Sequence, residues 1–247
     1  MKTGAARLLQ GLVLMAAGAA ALAAPAACKG TLYLTFDTGN MRHAELIAET
    51  LARYGAKATF FVAQEKTFRG DQALDPSWAG YWQARVAEGH AFGSHTWRHG
   101  SFRDDIGDRV RYRLPDGDSA TLDAAAVCAE LKRPDTRFQE LTGRRLDPLW
   151  RAPGGRTTPN TLAAARACGY QHVGWAPAGF LGDELPSETY PNSVLLQRAL
   201  ARLKDGDIVM AHLGIWSRKD AFAPMLAPLI GALREKGFCF ATPGARR

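Results

Sequence analysis

Short apolar runs bounded by glycine or polar turns alternate along this chain with longer stretches of helical periodicity. The runs predict strands over residues 31–37, 58–62, 90–94, 149–152, 171–175, 207–212 and 238–241. Helical patterns fall over 41–53, 78–88, 122–142, 158–167, 192–204 and 221–236. Gly55, Gly89, Gly143, Gly169, Gly206 and Gly237 follow these helices directly, as helix-stop residues do. Strand alternating with helix argues for a parallel sheet. About seven such units in one domain argue for an α/β barrel, closed or nearly so. Two polar stretches, 64–77 and 100–121, break the alternation and read as long rim loops, where substrate contacts are made. Leu114-Pro115-Asp116-Gly117-Asp118 in the second has the composition of a hairpin turn.

The N-terminus reads as separate from this fold. Lys2 and Arg7 precede an apolar stretch over 8–23, and Ala21-Leu22-Ala23-Ala24 offers a signal-peptidase site. Residues 1–24 are therefore expected to be a secretory signal peptide, with an uncleaved anchor as the alternative, and 28–247 the functional domain. Export would deliver the mature chain to the periplasm or the medium. No other segment is apolar and long enough to span a bilayer. Four cysteines remain after cleavage, and an even count in an exported chain suggests disulfides. Cys28 opens the first strand and Cys239 lies in the last, neighbours if a barrel closes. Cys128 and Cys168 lie in helices flanking the Arg151 strand. The expected pairs are Cys28–Cys239 and Cys128–Cys168, against the alternative of four buried thiols. Loss of Lys2 and Arg7 reduces the net charge of +7 to about +5. The basic residues are scattered without interleaved aromatics, so nucleic acid is not an expected partner.

The chemistry concentrates where apolar runs end. His95 and His99, four residues apart in Gly93-Ser94-His95-Thr96-Trp97-Arg98-His99, can reach one divalent cation from the same side of a turn. Asp37, Arg151 and His212 each close another apolar run. Barrel enzymes carry their reactive groups at these carboxyl ends of the strands. Together the five suit metal-assisted amide or ester hydrolysis. His95 and His99 would hold Zn or, as alternatives, Co, Mn or Ni. Asp37 would act as general base, oriented and kept ionised by Arg151, and His212 as general acid. Each also has a purely structural reading: Asp37 as a turn cap, Arg151 as a structural ion pair, His212 as a core histidine. His43, His90 and His172 lack such a constellation and read as structural. Trp97, Trp175 and Trp216 lie near these positions and suit either stacking on sugar rings or roofing of the core.

Several of these motifs resemble those of the polysaccharide deacetylases, the NodB-homology group or carbohydrate esterase family 4. Thr35-Phe36-Asp37-Thr38-Gly39 resembles the first motif, Ser94-His95-Thr96-Trp97-Arg98-His99 the second, and Arg151-Ala152-Pro153-Gly154-Gly155 the third. Ile208-Val209-Met210-Ala211-His212 resembles the fifth. The likeness runs from about Thr31 to Phe240. It implies a distorted (β/α) barrel and an N-deacetylase dependent on a divalent metal and acting on N-acetylated glycans. It further implies that Asp37 is the base, His95 and His99 the metal ligands, and His212 the acid. Pro153 and Gly154 are expected at the substrate, beside Trp175 and Trp216.

Three departures stand out. The family's second aspartate, a metal ligand, is Thr38 here. Either Thr38 is a weak third ligand or Asp37 takes that place. The fourth motif is degenerate in Trp175-Ala176-Pro177-Ala178-Gly179-Phe180, with Asp183 the nearest carboxylate to replace it. Leu213 follows His212 where an aspartate is usual, so the imidazolium needs another anionic partner, and none is evident. Two rival functions follow: a deformylase or deacylase of a lipid-linked amino sugar, and a non-catalytic carbohydrate-binding protein on a decayed scaffold.

Overall fold

The computed structural model describes Met1 and residues 28–243. Residues 2–24 of the expected leader lie outside the described residues.

In chain order the elements are β1 (Gly30–Asp37), α1 (Ala44–Arg53), β2 (Ala58–Val62), α2 (Ala79–Ala87) and β3 (Ala91–Ser94). Next come β4 (Ser101–Ile106), β5 (Arg109–Arg113), β6 (Ser119–Leu122), α3 (Ala124–Thr142), β7 (Leu149–Trp150) and α4 (Pro159–Ala167). The chain closes with β8 (Gln171–His172), α5 (Asn192–Arg202), β9 (Ile208–His212), α6 (Leu226–Glu235) and β10 (Phe238–Phe240).

Seven of these strands form one parallel sheet in the order β10-β1-β2-β3-β7-β8, with β9 also on β1. β1 is forked along one edge. Its first three residues pair with β10, and residues 33–37 pair with β9. Between β8 and β9 an irregular segment completes the curl. Ala176 N donates to Ile208 O at 3.1 Å, and Phe180 bridges Met210. The result is a distorted α/β barrel of parallel strands in a single domain.

Strand residues are buried on both faces, which is why β1 and β2 read as continuous apolar runs rather than alternating ones. Phe36, Phe60 and Phe92 from three neighbouring strands stack in sequence, and Trp82 and Phe138 close over them from α2 and α3. Each such ring, fully removed from water, contributes roughly 2–3 kcal/mol. The two disulfides are Cys28–Cys239 and Cys128–Cys168, with Cα separations of 5.7 and 6.1 Å. The first ties β10 to the start of β1; the second ties α3 to α4.

One expectation needs correction. Residues 100–121 are not a loop but a three-stranded antiparallel sheet, β4-β5-β6. Phe102, Val110 and Tyr112 are fully buried on one face, while Arg109, Arg111 and Arg113 alternate outward. That alternation is a strand signal diluted by the charges around it. The hairpin turn forms as expected, with Leu114 N donating to Asp118 O at 2.7 Å.

Candidate functional site

The strand register gathers the candidate residues at one end of the barrel. Asp37 and His212 are directly paired across β1 and β9. Ser94 pairs with Trp150 across β3 and β7, so His95 and Arg151 leave their strands side by side. His95 N donates to Val62 O at 2.9 Å and Arg151 N to Ser94 O at 2.8 Å. All four positions lie at carboxyl ends of parallel strands.

Asp37 and Arg151 form a buried ion pair. Arg151 Nη1 lies 2.9 Å from Asp37 Oδ1, while Nε and Nη2 donate to the carbonyls of Val173 and Gly174 at 3.0 and 3.1 Å. The guanidinium also lies over the Phe61 ring at 4.3 Å. Burial alone would raise the pKa of Asp37, but Arg151, His95 and His212 hold it below the usual carboxylate value. Its second oxygen, Oδ2, faces His95 Nε2 at 3.6 Å.

His95 is set by its other nitrogen. Nδ1 lies 3.0 Å from Arg151 O, which fixes that nitrogen as the donor and leaves Nε2 with a free lone pair. Burial pushes its pKa down to about 4, so the ring is neutral at physiological pH, as a metal ligand must be. The turn to His99 is strained: Thr96 and His99 adopt φ of 64° and 53°, in the left-handed region that non-glycine residues avoid. The two imidazoles end 4.8 Å apart, centre to centre.

The antiparallel sheet braces this turn from behind. The Tyr112 hydroxyl accepts Gly100 N–H at 2.8 Å and lies 3.0 Å from Glu130 of α3. Glu130 in turn accepts from Arg98 N at 3.0 Å and Arg98 Nε at 2.7 Å.

His212 does have an anionic partner, contrary to the sequence expectation. Asp183 lies 3.1 Å from its Nδ1 and also accepts its backbone N–H at 2.7 Å. The partner arrives from outside the motif, on the segment after 176–181 that runs beside β9. Burial opposes the charged ring, but Asp183, with Asp37 and Glu184, lifts the pKa to about 9. His212 is thus an imidazolium at neutral pH.

Glu65, like Glu184, is a site residue that no local signal in the sequence marks. It stands three residues beyond β2, in a polar stretch with no apolar run to flag it. Its Oε2 accepts from the Thr38 hydroxyl and, at 2.9 Å, from Gly39 N. Its Oε1 lies 3.5 Å from His99 Nδ1. The approach needs a glycine at 39, since φ is +54° and a Cβ there would sit 2.1 Å from Gly214 O.

Glu65, His99 and His212 border an open cleft of about 460 Å³ with Glu184 and the exposed ring of Trp216, while Asp37, His95 and Arg151 are buried. Pro115, from the β5–β6 hairpin, also reaches it. The other candidates lie elsewhere. Trp175 packs behind Arg151 and over Gly155, and Pro153 is buried beside the exposed turn glycine Gly154. Trp97 packs on the main core with the Arg133 guanidinium 4.1 Å above it. His90 and His172 accept backbone N–H groups of Ala58 and Ala152.

The polysaccharide deacetylase domain matches residues 24–173 of this chain, more than half of its length. This chain belongs to the polysaccharide deacetylase family. It is a hydrolase of the class that acts on carbon–nitrogen bonds other than peptide bonds. A chitooligosaccharide deacetylase of Azorhizobium caulinodans is 26% identical over 221 residues, spanning 85% of this chain and 91% of that protein. Among solved structures, a family 4 acetyl xylan esterase from Clostridium thermocellum in complex with a cobalt ion superposes with TM-score 0.67. It is 19% identical and covers 86% of this chain and 87% of its own. A carbohydrate esterase family 4 pseudoenzyme from Bacillus anthracis superposes with TM-score 0.66 at 18% identity, over 87% of this chain and 64% of its own. One fold therefore carries both working and silent sites. The substrate and the role of each residue have to be argued from the residues present.

Those residues fit a divalent cation in their donor chemistry: two imidazoles, one of them with its tautomer fixed, and a carboxylate turned toward the second. Among the described residues no three His, Cys, Asp or Glu side chains are already closed into a ready metal site. Binding would have to draw His95, His99 and a third donor together.

Proposed function

We propose that this chain is an exported, metal-dependent deacetylase that hydrolyses the acetamido group of an N-acetylated sugar in a glycan, releasing acetate and a free amine. The observation that carries this reading is the pairing of two oppositely tuned groups across one register position. Asp37 is held ionised and His212 is held protonated, on neighbouring strands at one end of the barrel. A decayed scaffold has no reason to keep a buried carboxylate and a buried imidazolium, each with its own partner.

His95 and His99 would hold the cation. When bound, it would supply a more acidic water and polarise the amide carbonyl. The remaining steps belong to the chain. Asp37 accepts the water proton through Oδ2, the oxygen that Arg151 leaves free. Arg151 keeps that carboxylate ionised and aimed. His212 delivers a proton from Nε2 to the departing nitrogen, since Nδ1 is engaged by Asp183. Water adds to the carbonyl carbon, the C–N bond breaks, and the leaving amine takes the His212 proton. Trp216 offers an apolar ring face for a pyranose at the cleft rim.

Two disulfides and the apolar, alanine-rich stretch over 8–23 support export to an oxidising compartment. The test is release of acetate from N-acetylglucosamine oligomers, peptidoglycan and exopolysaccharide by protein supplied with Zn²⁺ or Co²⁺. Asp37→Asn, with an unchanged circular dichroism spectrum, should abolish it. Formate release from a lipid-linked formamido sugar would redirect the reading to a deformylase. No acyl release from any substrate would end it.

A further inference from the structure

The residue at 38 cannot supply a carboxylate, yet a carboxylate stands beside it. Glu65, on the loop after β2, contacts both Thr38 and His99. Three features set its orientation. Oε2 is occupied by the Thr38 hydroxyl and Gly39 N–H, so Oε1 is the oxygen turned to the histidines. The Glu65 carbonyl accepts from Ala73 N at 2.8 Å, which anchors its backbone. Gln64 N donates to Trp97 O at 3.0 Å, which ties this segment to the turn that carries His95 and His99.

The separation between Glu65 and His99 suits two ligands of one cation better than a hydrogen bond. Glu65 Oε1 and His99 Nδ1 are 3.5 Å apart. Two donors bound tetrahedrally to one zinc, each about 2.1 Å from it, stand about 3.4 Å apart. Thr38 does not present its oxygen to the histidines at all. Its hydroxyl donates to Glu65 and accepts Ala63 N–H at 3.3 Å. Arg151 binds Oδ1 of Asp37 and leaves only Oδ2, which faces His95 Nε2 at 3.6 Å and is the oxygen the base needs.

We propose that Glu65 is the third protein ligand of the cation held by His95 and His99, and that Thr38 supports Glu65 by hydrogen bonding instead of binding the cation. The proposal rests on the metal-dependent reading above and refines it: the carboxylate has moved from the end of β1 to the loop after β2. Asp37 then remains free to act as the base.

Co²⁺ affinity, measured by isothermal titration on metal-stripped protein, tests this without reference to activity. Glu65→Gln should weaken Co²⁺ binding at least a hundredfold, with the fold checked by circular dichroism. Thr38→Ala should weaken it about tenfold, as loss of an outer-shell partner does. Asp37→Asn should bind within about threefold of the wild type. The double variant Thr38→Asp/Glu65→Gln should recover most of the lost affinity, because it returns a carboxylate to the same gap. Wild-type affinity in Glu65→Gln, alongside loss in His95→Ala, would overturn the Glu65 assignment and leave the metal reading standing. An Asp37→Asn loss as large as that of Glu65→Gln would overturn it in favour of Asp37. A wild-type protein that binds no Co²⁺ or Zn²⁺ would remove both.

Discussion

Asp183 holds His212 twice, by the ring Nδ1 at 3.1 Å and by the backbone N–H at 2.7 Å. The double contact fixes both the ring's position and its charge. With the pKa lifted from 6.5 to about 9, the imidazolium contributes stability fully below about pH 6.5, and that contribution is lost as pH rises through about 9. In the proposed mechanism the same group is the general acid, so the alkaline limb of the activity profile should fall near pH 9. Asp183→Asn removes the largest favourable partner. The alkaline limb of kcat/KM should then move down by one unit or more, and activity at pH 8 should drop about ten- to a hundredfold. An unmoved limb would show that Asp183 serves the fold alone.

The Asp37–Arg151 pair makes the opposite prediction at acid pH. A carboxylate held below its ordinary value contributes stability above about pH 3.8, lost as pH falls through its folded pKa. Arg151→Ala leaves a buried, unpaired carboxylate and should cost about 3–5 kcal/mol in denaturant titration. It should also shift the acid limb of activity to higher pH. Arg151→Lys should rescue little, because one ammonium cannot reach Asp37 and the carbonyls of Val173 and Gly174 in the planar arrangement that Arg151 uses. Full stability in Arg151→Lys would mean the fork geometry is irrelevant.

What the sequence revealed, and what it hid, follows from how far each signal reaches. Buried parallel strands read as apolar runs, so all seven were legible, and the residues that end them inherited their positions. Asp37, His95, Arg151 and His212 could be placed together for that reason. Glu65 and Asp183 could not, because both sit on irregular segments whose path is set by tertiary contacts. The small Lys66–Gln72 bridge turns Glu65 toward His99, and the 176–181 segment carries Asp183 to His212. A chemical signal was available for both. A threonine where a ligand is wanted, and an imidazole lacking its usual aspartate, each call for a carboxylate from elsewhere. The β4–β6 sheet was missed because its exposed arginines and aspartates mask the alternation of Phe102, Val110 and Tyr112.

Trp216 is the exposed aromatic of the cleft, with 61% of its surface open to solvent. Nothing in the core depends on it. Trp216→Ala should leave the melting temperature unchanged while raising KM for oligomeric substrate about five- to tenfold, with kcat nearly constant. That corresponds to about 1–1.4 kcal/mol of ring stacking lost from the bound state. Trp216→Phe should retain part of the effect. Unaltered KM on every glycan tested would assign the ring no role in substrate binding.

The disulfides differ in what they close. Cys28–Cys239 spans 211 residues and joins β10 to the start of β1, whereas Cys128–Cys168 spans 40 and staples α3 to α4. In the chain-entropy account the longer loop gives about 5 kcal/mol and the shorter about 4, as upper values. Replacing either pair by serine should therefore lower stability, the Cys28–Cys239 pair by more. The consequences for function should diverge further. Cys128–Cys168 lies among the helices behind Arg151, whereas β10 pairs only with the amino-terminal end of β1, remote from Asp37. At a temperature where both variants remain folded, loss of Cys28–Cys239 should leave kcat unchanged. Loss of Cys128–Cys168, which loosens α4 against α3 beneath the Arg151 turn, should lower it. Thermal melts, paired with initial rates of both variants and the wild type at one temperature where all three are fully native, separate the two effects. Equal loss of kcat in both variants would contradict the assignment.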